Sequence, residues 1–250
     1  MNSILWTMLL GFITLACLVC AGYAWFVSRR MLASLEEPVP RTHGVTMSWA
    51  APIYDAYCPW LGIGPRFRRD TLHHAGIVAG EHVLDVGCGT GVLTRLAAEA
   101  VERVGTVVGI DPSPGMIAVA RGNKIKAASR AEFRLAAIES LPFADASFDL
   151  ALSSFMLHHL PPDVKRAGLR EVFRVLKPGG RLLAVDIDRP ANPLWWLLFW
   201  PLLFFHFTGS NLRGEVPAFL RAAGFNPVER VDRRYGLLTF WSAVKPVGKS

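Results

Sequence analysis

The chain has 250 residues, of which 52% are hydrophobic and 19% are charged. This composition excludes a disordered chain, and the length fits one globular unit with an appendage. Lys and Arg number 27 against 20 Asp and Glu, a net charge of +7 that suits an anionic surface, or is ordinary Arg-rich composition. Basic residues are not interleaved with aromatic ones in a cluster, so no nucleic-acid partner is expected. The four cysteines form no metal-ligand pattern and are too few for a disulfide scaffold.

The N-terminal part of the chain is strongly apolar. Between Ile4 and Val27 no residue is charged, and a helix of that length reaches roughly 36 Å, enough for a hydrocarbon core of about 30 Å. Arg29 and Arg30 follow, which by the positive-inside rule places the rest of the chain in the cytoplasm. A cleaved signal peptide is disfavoured, because no basic residue precedes the apolar run. We predict a single-pass membrane protein with a transmembrane anchor, a juxtamembrane linker and one domain, at residues 1–28, 29–47 and 48–250.

The domain alternates short apolar runs with amphipathic stretches, which predicts strands and helices in turn. The predicted strands are 82–86, 106–110, 132–135, 148–153, 181–186, 227–232 and 237–245. The predicted helices are 91–101, 114–121, 162–176 and 216–223. Such alternation is typical of an α/β fold whose parallel strands are joined by right-handed crossovers.

A glycine-rich loop joins the first predicted strand to its helix, with the sequence DVGCGTG at residues 85–91. Its glycines allow a sharp turn and close approach to a ligand, and the helix N-terminus behind it favours a carboxylate or a phosphate. Asp111 ends the second strand, where a carboxylate can accept hydrogen bonds from both hydroxyls of a ribose. The dinucleotide fingerprint G-x-G-x-x-G needs a glycine where Val92 stands, so NAD ranks below S-adenosylmethionine.

Five motifs in order resemble the class I S-adenosylmethionine-dependent methyltransferases. They are HVLDVGCGTG at 82–91, GIDPSPGM at 109–116, LPFADASFD at 141–149, LKPGG at 176–180 and FLRAAGF at 219–225. The branch that looks most similar is the ubiquinone/menaquinone C-methyltransferase and methyltransferase type 11 group. The resemblance implies a Rossmann-like class I methyltransferase fold, with a mainly parallel seven-stranded sheet flanked by helices; the apolar N-terminal run adds the expectation of one transmembrane helix before it. It also implies methyl transfer with S-adenosylmethionine as the cofactor.

The resemblance further implies which residues bind the cofactor. Gly87, Gly89 and Gly91 would approach its methionine part, Asp85 would position its amino group, and Asp111 would hold the ribose. The full predicted cofactor set is Asp85, Gly87, Cys88, Gly89, Gly91, Asp111, Pro112, Met116, Ile138, Glu139 and Ser154.

One position departs from the family pattern. The family usually carries an Asp that contacts the adenine amino group, and Ala137 stands at the aligned position. Either Glu139 or backbone groups near Ile138 take over this contact, or the affinity for the cofactor is lower. Met116 would pack on the adenine side, and Ser154 would lie near the methyl end.

The candidate catalytic residues follow the fourth and fifth predicted strands, where sites on parallel sheets lie. They are His158, His159 and Asp186, and each could instead simply cap a loop or turn. A base is needed only if the methyl acceptor is an acidic O–H, S–H or ring C–H; otherwise positioning does much of the work. Weaker candidates are Tyr54, Asp188 and His206.

An unusually apolar segment, residues 193–208, follows the fifth strand. It is too short to span a bilayer comfortably, and its density of Trp and Phe suits an interfacial segment. We predict a lid that touches the membrane and admits a lipophilic acceptor; the alternative is a buried helix in a core or a dimer contact.

Three functions follow in order of preference. The first is a membrane-anchored methyltransferase for a lipophilic small molecule, such as a quinol, a phenol or a lipid headgroup. The second is a methyltransferase for a soluble, thiol or xenobiotic acceptor, and the third is a non-catalytic binding protein that kept the fold. The sequence decides neither the acceptor atom nor the oligomeric state.

Overall fold

The computed structural model describes residue 22 and residues 38–127, 129–204 and 206–248. Its strands are β1 (His82–Val86), β2 (Thr106–Asp111), β3 (Glu132–Leu135), β4 (Phe148–Ser154), β5 (Leu176–Ile187), β6 (Val228–Arg234) and β7 (Leu238–Val244). They form one sheet in the order β3-β2-β1-β4-β5-β7-β6. Six strands run in the same direction, and β7 runs in the opposite direction, antiparallel to β5 and β6. The predicted mainly parallel, seven-stranded sheet is therefore confirmed.

Helices precede and connect the strands. They are α1 (Tyr54–Tyr57), α2 (Pro65–Ala75), α3 (Val92–Ala100), α4 (Pro114–Lys126), α5 (Pro162–Val175), α6 (Pro193–Phe199), α7 (Gly209–Leu212) and α8 (Val216–Ala222). Single 3₁₀ turns lie at Ser48–Ala50, Cys58–Leu61, Leu157–His159 and Trp200–Phe204. Several helices begin with proline in the first turn, where its missing N–H costs nothing.

The core lies on both faces of the sheet. Successive residues of a strand point to opposite faces, so Val83 of β1 packs in one hydrophobic cluster and Leu84 in another. The cluster around Val83 includes apolar residues of α2, α3 and α4, and the cluster around Leu84 includes residues of α5 and α8. The sheet is thus sandwiched between two helical layers, as a doubly wound α/β fold requires.

The order of the strands fixes where a ligand can bind. β1 pairs with β2 on one side and with β4 on the other, so the direction of winding reverses at β1. In open parallel sheets the crevice outside the carboxyl ends of the strands at such a reversal is the usual ligand site. The glycine loop after β1, Asp111 at the end of β2 and Ser154 at the end of β4 meet at this edge.

Across the part of the chain that the structure describes, no helix has the length and apolar character needed to cross a bilayer. Apart from Gly22, the predicted anchor at residues 1–28 lies outside the described residues, as does the predicted linker before Pro38.

Candidate functional site

A cavity, which we call the inner cavity, opens at the carboxyl ends of β1, β2 and β4. Eight predicted cofactor residues line it: Gly87, Gly89, Asp111, Pro112, Met116, Ile138, Glu139 and Ser154. The other predicted residues, Asp85, Cys88 and Gly91, do not lie in its wall.

The glycines of the loop serve different purposes. Gly87, Gly89 and Gly91 all have positive φ angles, of 72°, 54° and 75°, a backbone region that glycine adopts without strain. A Cβ on Gly87 or Gly91 would come within 2.4 Å of Met156 or Phe133. A Cβ on Gly89 would meet only the Sδ of Met116, at 4.0 Å. Gly89 therefore leaves open space beside the cavity, whereas the other two permit close packing.

Asp111 places a carboxylate in the cavity wall. Its Oδ2 accepts a hydrogen bond from the backbone N–H of Gly89 at 3.0 Å, and its Oδ1 accepts from that of Ser113 at 2.8 Å. Burial raises the pKa of Asp111 to about 6, although these hydrogen bonds oppose the rise. The carboxylate is thus fixed by two loops and becomes fully ionised only near neutral pH.

The side chains of Asp85 and Cys88 are buried and do not line the cavity. Asp85 is 1% exposed and accepts a hydrogen bond from the hydroxyl of Thr94 at 2.6 Å. Burial raises the pKa of Asp85 to about 6 and also raises the pKa of the Cys88 thiol. Asp85 joins β1 to the first turns of α3, and so supports the loop from within.

Sequence reasoning missed one wall of the inner cavity. Thr42, Gly44, Val45, Thr46 and Met47, within the predicted linker, line the cavity together with Tyr54. Their partners lie far away along the chain, and no local pattern distinguishes them from a linker.

Glu139 joins this wall to the loop after β3. Its Oε1 accepts hydrogen bonds from the hydroxyl of Thr42 at 2.8 Å and from the backbone N–H of His43 at 3.1 Å. Its Oε2 is buried and has no hydrogen-bond partner within the described residues. Ala137, where the family usually carries an Asp, is buried, and Glu139 therefore supplies the carboxylate at this end of the cavity.

A second and wider cavity, the outer cavity, adjoins the first. The two share Met47, Tyr54, Phe155 and His159 in their walls. Most of the remaining wall is aromatic or aliphatic, namely Tyr57, Trp60, Leu61, Ile63, Ile187, Trp195, Phe199, Tyr235, Leu237 and Leu238. The site thus has a compartment with polar groups and a wider apolar compartment, joined at one junction.

The three predicted catalytic residues come together beside this junction. Nδ1 of His158 lies 2.6 Å from Oδ1 of Asp186, and the His158 and His159 rings are 4.0 Å apart. His158 lines the outer cavity and His159 lines both cavities. Burial and the neighbouring His158 lower the pKa of His159 to about 4. The ring of His159 is therefore neutral at physiological pH.

Asp186 is buried and held from its own strand. Its pKa is lowered: burial acts to raise it, but His158 and the backbone N–H of Ile187, at 2.7 Å, overcome that effect. An ionised carboxylate only accepts hydrogen bonds, so Nδ1 of His158 is the donor and Nε2 is left as the basic nitrogen.

The weaker candidates differ in position. Tyr54 lies in the walls of both cavities, and burial raises the pKa of its hydroxyl. Asp188 accepts a hydrogen bond from the N–H of Arg189 at 2.7 Å and lines neither cavity. His206 is exposed and also lines neither cavity.

The predicted lid, residues 193–208, forms α6 and a 3₁₀ turn beside the outer cavity. Asn192 caps α6 by accepting a hydrogen bond from the N–H of Trp195 at 3.0 Å. Trp195 and Phe199 face the cavity and contact each other, with ring centroids 5.6 Å apart. The opposite side is exposed, with Leu194 at 72%, Leu197 at 73% and Phe204 at 80%.

Comparison with known proteins gives a family model described as a methyltransferase domain, which matches residues 83–180. An uncharacterized methyltransferase of Synechocystis sp. is 33% identical over 173 residues, covering 68% of this chain and 78% of the relative. A demethylmenaquinone methyltransferase of Lactiplantibacillus plantarum is 35% identical over 148 residues, covering 58% of this chain and 62% of the relative. A ubiquinone/menaquinone biosynthesis C-methyltransferase of Ectopseudomonas mendocina is 38% identical over 135 residues, covering 53% and 52%.

Solved structures share the fold at low sequence identity. A S-adenosylmethionine-dependent methyltransferase from Aquifex aeolicus superimposes with a TM-score of 0.58 at 23% identity, covering 71% of this chain and 89% of that one. A phosphoethanolamine N-methyltransferase of Haemonchus contortus, in complex with S-adenosylhomocysteine, superimposes with a TM-score of 0.63 at 19% identity. The match covers 80% of this chain and 58% of that one.

Proposed function

The chain belongs to the class I S-adenosylmethionine-dependent methyltransferases, and from that premise we propose that it is membrane-anchored and methylates a lipophilic small molecule. Enzyme class and cofactor follow from the family; the acceptor and the membrane are the proposal. The observation that carries the proposal is the wide apolar outer cavity, which joins the inner cavity at Met47, Tyr54, Phe155 and His159.

The inner cavity fits S-adenosylmethionine on three observations. Gly89 leaves space that a Cβ would fill, Asp111 presents a fixed carboxylate, and Glu139 keeps a buried oxygen without a partner. We assign Asp111 to the ribose hydroxyls and Glu139 to the adenine amino group. Gly87 and Gly89 approach the methionine part, with Met116 on the adenine side and Ser154 near the methyl end.

When bound, the cofactor supplies an electrophilic methyl group on a positively charged sulfur. The enzyme must hold an electron-rich acceptor in line with that methyl group, and such positioning carries much of the rate. The junction of the two cavities is where an acceptor in the outer cavity meets a donor in the inner one. The neutral ring of His159 adds no positive charge at this junction, where it would repel the sulfonium.

An acceptor with an acidic O–H or ring C–H must lose a proton. We assign this proton to Nε2 of His158, because Asp186 holds the opposite nitrogen as the donor. As His158 takes up the proton, the buried carboxylate of Asp186 stabilises the imidazolium that forms. Phenols and quinols, which combine an apolar ring with an acidic hydroxyl, match both the dyad and the cavity. Quinone-pathway methyltransferases among the relatives support this choice.

We propose that the domain works at the cytoplasmic surface of a membrane. The uncharged stretch between residues 4 and 27 with the following arginine pair would anchor it, and the exposed side of the lid would touch the bilayer. Trp60 is 90% exposed and Leu61 is 62% exposed, and both lie in the wall of the outer cavity together with Trp195 of the lid. Apolar side chains thus flank the path by which a lipid-dissolved acceptor would enter.

The test is methyl transfer from labelled S-adenosylmethionine by the purified full-length chain. We expect label in a total membrane lipid extract and not in the matching aqueous extract. Label confined to the aqueous extract would favour a soluble or thiol acceptor and overturn the lipophilic proposal.

A second measurement tests the lid. Trp195→Ser with Phe199→Ser is expected to raise KM for the lipophilic acceptor, because these rings line the cavity. Leu194→Ser in the same helix faces solvent and is expected to weaken sedimentation with phospholipid vesicles while leaving KM in detergent unchanged. Equal KM values for all three proteins would remove the lid from the acceptor site.

A further inference from the structure

Residues 42–57, which we call the strap, form one wall of the inner cavity and are bonded to the domain at both ends. At the start of the strap, the hydroxyl of Thr42 donates to Oε1 of Glu139 at 2.8 Å, across 97 positions of the chain. The backbone N–H of Val45 donates to the carbonyl of His159 at 3.0 Å. The strap therefore contacts the loop after β3 and the turn that carries the histidine pair.

The far end of the strap is bonded to the glycine loop. Asp55 accepts a hydrogen bond from the hydroxyl of Thr90 at 2.5 Å and another from the side-chain amide of Asn123 at 3.3 Å. Between the ends, the hydroxyl oxygens of Ser48 and Ser113 lie 2.7 Å apart. These contacts fix the strap to the glycine loop, to Ser113 after β2 and to helix α4.

The two carboxylate oxygens of Glu139, a residue that lines the inner cavity, differ in their hydrogen bonds. Oε1 takes both hydrogen bonds from the strap, whereas Oε2 is buried and has no partner within the described residues. The Thr42 hydroxyl is itself oriented, because it accepts a hydrogen bond from the N–H of Gly44 at 3.0 Å. A hydroxyl held as an acceptor on one side must point its proton to the other, which is where Glu139 lies.

We propose that Thr42 is a positioning residue for recognition of the adenine ring. By fixing Oε1, it turns Oε2 of Glu139 into the inner cavity, so that strap and cofactor share one carboxylate. The inference rests on the proposed contact of Glu139 with the adenine amino group.

Two consequences follow from the shared carboxylate. Cofactor binding and closure of the strap strengthen each other by the same factor, since coupling between two binding events is reciprocal. The carboxylate also selects the purine ring by the group at position 6. It accepts a hydrogen bond from the 6-amino group of adenine, but it faces a lone pair on the 6-oxo group of hypoxanthine. An enzyme with an ordered strap therefore prefers adenosyl over inosyl ligands.

The experiment measures binding of S-adenosylhomocysteine and S-inosylhomocysteine by calorimetry, and hydrogen exchange of the strap amides, with the full-length chain. We expect Thr42→Val to weaken S-adenosylhomocysteine binding roughly tenfold, the scale of one hydrogen bond to a charged group. The variant should also lose part of the preference for adenine and exchange its strap amides faster in the bound state. Thr42→Ser restores all three properties, because it keeps the hydroxyl.

Two further variants separate the possible failures. Glu139→Gln is expected to bring the two affinities closer, because an amide can donate to a 6-oxo group. Thr106→Val is the matched control, because Thr106 is exposed and lies at the end of β2 opposite to Asp111. This variant should leave both affinities and the exchange of the strap amides unchanged.

Each negative outcome has a distinct meaning. Absence of saturable S-adenosylhomocysteine binding by the unaltered chain would refute the proposed function itself. Unchanged preference in Glu139→Gln would overturn the adenine contact and the role of Thr42 with it. A changed preference in Glu139→Gln together with wild-type binding and exchange in Thr42→Val would overturn the role of Thr42 alone.

Discussion

Nδ1 of His158 lies 2.6 Å from Oδ1 of Asp186, a carboxylate that is 2% exposed. The same carboxylate accepts hydrogen bonds from the backbone N–H groups of Ile187 and His158. Its lowered pKa keeps it ionised, so it fixes the tautomer of the ring. The pair is therefore a histidine base with a positioned carboxylate, at the wall of an apolar cavity.

Removing the base should slow turnover without affecting the cofactor. We expect His158→Gln to lower kcat by about 10²–10⁴-fold, the usual contribution of a general base, with the affinity for S-adenosylhomocysteine unchanged. The measurement is initial-rate kinetics on the lipid-extract acceptor together with calorimetry.

Two variants accompany this measurement. Asp186→Asn should also lower kcat, because an amide can donate to Nδ1 and select the wrong tautomer. His73→Gln, an exposed histidine on α2, is the control and should behave as wild type. A kcat for His158→Gln within twofold of the control would show that no base at this position is needed.

The raised pKa of Asp111 should make cofactor affinity depend on pH. Burial raises its pKa to about 6 in the free protein, and ribose hydroxyls that donate to the carboxylate favour the ionised form. Affinity for S-adenosylhomocysteine should therefore rise as pH increases from 5 and level off above about 6.5, with a slope of at most about tenfold per pH unit. His159, with a pKa of about 4, does not titrate in this range.

The control for this profile is Asp111→Asn, measured by calorimetry at pH 5, 6 and 7.5. It should bind more weakly at neutral pH and show a flatter profile, since the titrating group is gone. A profile as steep as that of the unaltered chain would assign the pH dependence to another group.

Substitutions of Gly89 and Gly91 should have different main effects, the first on cofactor binding and the second on the stability of the fold. A side chain on Gly89 enters open space near Met116, whereas one on Gly91 overlaps Phe133 at 2.4 Å. We expect Gly89→Leu to abolish S-adenosylhomocysteine binding with a loss of stability of about 1–2 kcal/mol from its positive φ. Gly91→Ala should instead destabilise the fold by more than Gly89→Leu does, because overlap adds to the strain. Urea unfolding and calorimetry distinguish these results, and equal effects in both variants would contradict the assignment.

The sequence predicted the buried strands well because their signal is local. The predicted range 82–86 is the observed β1, whose apolar residues are bounded by glycines and buried on both faces. The sequence predicts a helix up to residue 176 and a strand from residue 181, but β5 begins at Leu176, so the predicted start of β5 is wrong by five residues. Leu176 pairs with Phe148 before a register shift, and such a pairing between distant segments leaves no mark on the local pattern.

The wall of the site built by residues 42–47 could not be predicted for a related reason. The contacts that attach it to the rest of the domain join residues far apart, as between Thr42 and Glu139. The segment is short and follows Pro38 and Pro40, which is typical of a linker. The lining role of Gly89, Asp111 and Glu139 was accessible, because motif order and strand ends place these residues at one edge of the sheet.

Lys165 lies outside both cavities and holds the C-terminal end of the lid by hydrogen bonds. It is 1% exposed on α5, and its Nζ donates to the carbonyl of Phe207 at 2.7 Å and to Ser210 and Asn211 at 2.6 Å each. We expect Lys165→Met to lower the free energy of unfolding by about 2–4 kcal/mol, because three buried acceptors lose their donor. Lys177→Met, which breaks a partly exposed ion pair with Asp149, should cost at most about 1 kcal/mol.

The same lysine gives a pH test of this assignment. Burial lowers the pKa of Lys165 to about 8, whereas an unfolded lysine titrates near about 10.4. Between these values the unfolded chain binds more protons than the folded one, so this group makes stability rise with pH from about 8 to about 10. Urea unfolding across that range should show the rise in the unaltered chain and a smaller one in Lys165→Met. An identical slope in both proteins would mean that Lys165 stays charged when buried, and that its three acceptors outweigh the cost of burial.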